Sequence, residues 1–123
     1  MFPFRLNKDH VNYKGNDPYF IPCAKVIGLQ KNRRKPFRPY SIVNISAMSY
    51  GSLSSQAQTA LNKGAAMVGS FHNTGEGGLS PFHQLGADVV FQFGTGYFGC
   101  GITGEDGQRY FSFEKLEELV TNK

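Results

Sequence analysis

Two glycine-dense hexapeptides constrain this chain more than any other feature. They are Asn73-Thr74-Gly75-Glu76-Gly77-Gly78 and Gly94-Thr95-Gly96-Tyr97-Phe98-Gly99, each placed just after a short apolar run. Glycine weakens helix interiors and is used where the backbone turns left-handed or comes close to something else. With 15 glycines among 123 residues, a helix bundle is disfavoured. The 11 Phe and 6 Tyr side chains still supply enough large apolar surface for a folded core, and one domain suits the length.

The order of elements follows from pattern. Residues 1–39 read as an irregular segment, because the prolines of Asp17-Pro18, Lys35-Pro36 and Arg38-Pro39 bias their predecessors away from helix. From Tyr40 onward the character changes, and residues 40–123 read as one α/β domain. Ile42-Val43-Asn44-Ile45 is a β-branched run suited to a buried strand, and it ends in the polar loop Ser46 to Ser52. A helix is expected from Ser54 to Met67, with Ser52 or Ser54 as its cap and Ala57, Leu61, Ala65 and Val68 as its apolar stripe. Strands are expected at Val68–Phe71 and Asp88–Phe93, and a hairpin over Cys100–Phe111 that turns at Gly104-Glu105-Asp106-Gly107. A helix capped by Ser112 then runs to Asn122, with Phe113, Leu116, Leu119 and Val120 on one face. Polar loops at strand ends are where βα proteins place ligand chemistry.

Several readings are excluded on spacing. The segment Gly94 to Gly99 matches G-x-G-x-x-G, and Glu114 lies 20 residues beyond Gly94. The third glycine nevertheless opens a turn-rich stretch, so a dinucleotide fingerprint is rejected. His72, His83 and Cys100 follow no zinc spacing rule, and two cysteines cannot hold an iron–sulfur cluster, so no metal is expected. Cys100 reads as a small packing residue rather than a nucleophile, and one disulfide to Cys23 stays open. His10 has no evident partner. The excess of basic residues, +4 overall, gathers in Lys31 to Arg38. This reads as a solvated connector, and no second basic or aromatic patch supports nucleic-acid binding. No apolar run reaches membrane-spanning length and no signal core opens the chain, so a reducing, cytoplasmic setting is expected.

Taken together, the ordered blocks Ser46-Ala47-Met48-Ser49-Tyr50-Gly51-Ser52-Leu53-Ser54, Ala60-Leu61-Asn62-Lys63-Gly64-Ala65, His72 to Gly78 and Gln92 to Cys100 resemble the FMN-binding domain of glutamate synthase. The likeness is to the stand-alone domain-containing form, and it covers about half the chain. The resemblance implies a (β/α)8 TIM-type barrel, of which this chain supplies the first two to three βα units. It implies an oxidoreductase that forms glutamate reductively from 2-oxoglutarate and ammonia. Carried over by position, Ala47, Met48 and Ser49 would lie beside the isoalloxazine at the end of the first strand. Asn73, Thr74 and Glu76 would come from the second loop, and Gln92 and Thr95 from the third. No catalytic residue is assigned.

A whole barrel takes about 250 residues and commonly grips phosphate after its seventh and eighth strands. The expectation is therefore a truncated portion or one half of a split barrel, inactive alone and binding FMN weakly or not at all. Its expected partner is a complementary barrel half or a second copy. A non-catalytic binding or assembly module is the alternative.

Overall fold

The computed structural model describes residues 23–121. The readings made for Asp17-Pro18, His10 and Asn122, and most of the irregular segment, lie outside the described residues. Between residues 23 and 39 the chain forms a 3-10 turn at Leu29–Lys31 and an antiparallel bridge between Ile27 and Phe37. Residues 31–36 are exposed.

The first long element is helix α1, Ser55–Val68. The Ser54 side chain accepts a hydrogen bond from the Ala57 N–H, which satisfies one of the free donors of the first turn. Ser52, the other cap candidate, instead donates its hydroxyl to the Ser49 carbonyl. The helix stops at Gly69, whose φ of 70° is left-handed, and the Gly69 and Ser70 N–H groups both return to the Ala65 carbonyl.

That stop moves the next strand. A strand at Val68–Phe71 was expected, but the helix cap occupies its start, and strand β1 is Phe71–Asn73. It pairs in parallel with strand β2, Asp88–Val90, with His72 opposite Val89. On its other side, His72 bridges Ile45, also in parallel.

The expected first strand, Ile42–Ile45, is reduced to that bridge because side chains take over the ladder. The Phe71 N–H donates to Asn44 Oδ1 (3.0 Å), and the Val43 carbonyl accepts from the Ser70 hydroxyl (2.6 Å). The same substitution ends β2 early. The Thr74 N–H reaches the Val90 carbonyl (3.0 Å), but the Gln92 N–H then bonds Thr74 Oγ1 (3.0 Å) instead of a backbone oxygen. Extended pairing to Phe93 is lost, while the direction of the chain is kept.

Strands β3, Gly101–Thr103, and β4, Arg109–Phe111, form the expected antiparallel hairpin with Ile102 opposite Tyr110. Helix α2, Phe113–Thr121, follows directly. Ser112 caps it by accepting from the Lys115 N–H (3.3 Å). The described residues thus form a mixed α/β structure with two small sheets.

The interior is unusual in its chemistry. The helix stripe expected to be buried is only half right: Ala65 is buried, Ala57 and Leu61 are half-buried, and Val68 is exposed. The buried face of α1 lies one residue over, at Gln58, Asn62 and Ala65. His72, His83 and Thr74 join them as fully enclosed polar side chains. Large apolar side chains stand outside instead, including Met67 (74% exposed), Val43 (69%), Phe113 (65%) and Val120 (65%). The expected apolar face of α2 is thereby split, with only Leu116 and Leu119 half-buried.

Candidate functional site

Three loops leave the same end of the three parallel segments and touch one another. The Met48 N–H donates to the Asn73 carbonyl (3.2 Å), joining the first loop to the second. The Gly77 N–H donates to the Ser49 hydroxyl (3.3 Å) across the same seam. Gln92 joins the third loop to the second twice, through its N–H to Thr74 Oγ1 and through its side-chain amide to the Glu76 carboxylate (3.4 Å).

The glycines explain why these loops lie so close. A Cβ on Gly94 would stand 3.1–3.2 Å from the Glu76 side chain, and one on Gly78 3.2 Å from the Phe98 carbonyl oxygen. Gly75 and Gly78 also hold φ values of 67° and 85°, which suit glycine.

Of the residues singled out from sequence, Met48, Ser49, Asn73, Thr74, Glu76 and Gln92 are therefore neighbours. Ala47 and Glu76 are exposed, Met48, Ser49, Asn73 and Gln92 are half-buried, and Thr74 is buried. Thr74 acts within the protein, donating to the Gly75 carbonyl and accepting from Gln92. Thr95 is exposed in the turn beyond Gly94.

Behind the loops lies a polar network that pattern reasoning missed. Asn62 Oδ1 accepts from the Leu85 and Ala87 N–H groups (2.8 and 3.4 Å), which fixes its amide orientation. Its Nδ2 therefore donates to the His83 carbonyl (2.7 Å) and to His72 Nδ1 (3.2 Å). His72 is then a neutral imidazole protonated at Nε2, and burial, then the neighbouring His83, hold its pKa below 6.5. His83 Nδ1 accepts from the Ser80 N–H (3.2 Å), so its Nε2 carries the proton and donates to the Met48 carbonyl (2.9 Å). Gln58 Nε2 donates to the same oxygen at 2.6 Å.

The signal for this network was present in the helix. Gln58, Asn62 and Ala65 are spaced by four and three, so polar side chains share the inner stripe with an alanine. Both His83 nitrogens and His72 Nδ1 are engaged in protein hydrogen bonds, while His72 Nε2 and Gln58 Oε1 are buried without a hydrogen-bond partner. Among the described residues, no group of three His, Cys, Asp or Glu is placed to hold a metal ion. Cys23 and Cys100 are both buried and both free thiols. No helix among the described residues is long and apolar enough to cross a membrane.

The architecture defines an α/β chain whose loops converge at one end of short parallel strands. Residues 4–112 match the family model described as the conserved region in glutamate synthase, and the chain belongs to that family. It is 43% identical over 114 residues to the glutamate synthase large subunit-like protein YerD of Bacillus subtilis, covering 89% of this chain and 21% of YerD. It is also 43% identical over 58 residues to an archaeal-type glutamate synthase [NADPH] of Thermotoga sp. (strain RQ2), covering 46% of this chain and 11% of that protein. An archaeal glutamate synthase [NADPH] of Archaeoglobus fulgidus is 44% identical over 55 residues, covering 44% and 11% respectively. The chain thus spans about a fifth of YerD and about a tenth of the other two. No solved structure matches the chain.

Proposed function

We propose that the chain forms the opening part of a glutamate-synthase-type (β/α)8 barrel and contributes one wall of an FMN site. The observation that carries this reading is the joining of three loops at one end of parallel segments, through Met48 to Asn73 and Gln92 to both Thr74 and Glu76. Ligand sites of α/β barrels are built from such strand-end loops.

The donor set fits the polar edge of a flavin ring. Gln92 offers both a carbonyl and an amide, Thr95 a hydroxyl, Glu76 an acceptor, and Ala47 to Ser49 a run of backbone groups. Glu76 and Thr95 are exposed and Gln92 half-buried, so these groups are within reach of a ligand. Bound there, FMN would supply hydride chemistry, and the protein would orient the ring and tune its nitrogens by hydrogen bonding. The activity proposed for the whole protein is reductive formation of glutamate from 2-oxoglutarate and ammonia, in the cytoplasm.

The isolated chain is proposed to be inactive and to hold FMN weakly or not at all. Its exposed Val43, Met67, Phe113 and Val120 support a partner that covers them, either the complementary portion of the barrel or a second copy. The test is flavin retention after desalting, for the chain alone and for the chain refolded with a polypeptide spanning the rest of the proposed barrel. The expected result is a colourless chain alone and a yellow, stoichiometric complex. A complex that forms but stays colourless overturns the flavin reading.

A further inference from the structure

We propose that Gln58 and His83 are positioning residues for the loop after the first parallel segment, acting through the carbonyl of Met48. The purpose assigned to them rests on the flavin reading above; the geometry rests on hydrogen bonds alone.

A carbonyl oxygen has two lone pairs, and both of those on Met48 are taken by side chains from separate elements. Gln58 Nε2 reaches it from α1 at 2.6 Å, and His83 Nε2 reaches it from the 3-10 turn Pro81–His83 at 2.9 Å. The Met48 N–H is held independently by the Asn73 carbonyl at 3.2 Å. Both peptide planes that flank Met48 are therefore fixed.

In a trans peptide the C=O and N–H groups point in opposite directions. The Met48 N–H points at β1, so the Ala47 carbonyl points away from it, on an exposed residue at the site's rim. The Met48 carbonyl points into the polar interior, so the Ser49 N–H points out of it. The clamp thus fixes the direction of an acceptor at Ala47 and of a donor at Ser49 on adjacent peptides, with the Ser49 nitrogen lying beside Gly75.

The supporting residues set the clamp's tautomer. Ser80 donates its N–H to His83 Nδ1, which forces the Nε2–H tautomer that Met48 needs. Asn62 holds the His83 carbonyl. Apolar side chains would pack α1 against the 3-10 turn without this arrangement. Buried polar groups are costly unless satisfied, and their distinctive contribution is to select one geometry.

The test uses the whole 123-residue chain. Gln58→Met and His83→Phe delete one donor each at similar volume, and His83→Gln returns an amide donor of comparable reach. Both deletions are expected to shift the backbone amide resonances of Ala47, Met48 and Ser49 while leaving the Gly101–Phe111 hairpin unmoved. In the complex with the complementing polypeptide, each is expected to weaken FMN binding about fivefold, with recovery in His83→Gln.

Unshifted resonances at residues 47–49 overturn the proposal, as does unchanged FMN affinity in a complex that binds flavin. Should a deletion variant fail to fold, nitrogen-15 spectra of the wild-type imidazoles decide instead. A His83 Nε2 that carries a proton supports the clamp, and an Nδ1–H tautomer with a bare Nε2 overturns it. If the wild-type complex is colourless, the flavin reading fails while the amide and tautomer measurements still judge the clamp.

Discussion

Gly75 lies directly against Ser49: a Cβ added to Gly75 would stand 2.7 Å from the Ser49 backbone nitrogen and collide with the Ser49 hydroxyl. The contact joins the loop after the first parallel segment to the loop after β1. It also makes Gly75 a place where conformation and space are demanded together.

Gly75→Ala is therefore expected to cost more than a left-handed backbone alone, which accounts for about 1–2 kcal/mol. Gly107→Ala is the matched control, since Gly107 has a φ of 76° and nothing within 4 Å of its added Cβ. Urea unfolding of both variants measures the difference. Equal losses would show that the Ser49 contact contributes nothing.

Stability is expected to fall as pH drops through about 6.5. Burial, then His83, lowers the His72 pKa from its ordinary 6.5, so the folded state resists a proton that the unfolded chain accepts. The contribution is complete above pH 6.5 and is lost progressively below it, toward the folded pKa. Asp106, held low mainly by the Tyr110 hydroxyl, and Glu114, held low by its own backbone N–H and the Ser112 hydroxyl, act in a more acidic window, below their ordinary 3.8 and 4.5. Urea midpoints between pH 8 and pH 5 check this. A His72→Gln variant should flatten the curve in that range, and an unchanged slope would refute the assignment.

Asn62→Leu is expected to destabilise the chain by about 3 kcal/mol or more. It leaves the buried His83 carbonyl and the part-buried Leu85 N–H without their side-chain partner, and an unsatisfied buried group costs about 1–3 kcal/mol. Chemical denaturation of the variant supplies the number. A loss below about 1 kcal/mol would mean that the network is not as enclosed as its geometry implies.

The exposed apolar faces and short parallel strands are expected to drive concentration-dependent association. Val43→Lys and Phe113→Glu place charges on two of the most exposed large apolar positions and should shift sedimentation toward the monomer. A wild-type chain that sediments as a monomer at all concentrations would remove the need for a covering partner.

Much of the element order was legible in residue pattern, and the departures share one cause. The Cys100–Phe111 hairpin and the Ser54 and Ser112 caps follow from local chemistry, because turns and caps depend on a few neighbouring residues. The parallel strands came out shorter than the apolar runs, because Asn44, Ser70 and Thr74 supply side-chain hydrogen bonds where backbone groups were expected. The meeting of Met48, Glu76 and Gln92 was anticipated from the family likeness. The Gln58, Asn62 and His83 network was not, since hydropathy assigns such residues to a surface and only tertiary pairing brings them inside.

An interior knit from amides and imidazoles reverses the usual map of mutational tolerance. In a saturation library, Gln58, Asn62 and His83 should reject most replacements, including the aliphatic ones that ordinary cores welcome. Met67 and Val120, open to solvent, should accept nearly anything in the isolated chain. If the proposed partner covers those two positions, adding it would turn them from permissive to selective, and the same library read in both contexts would trace its footprint.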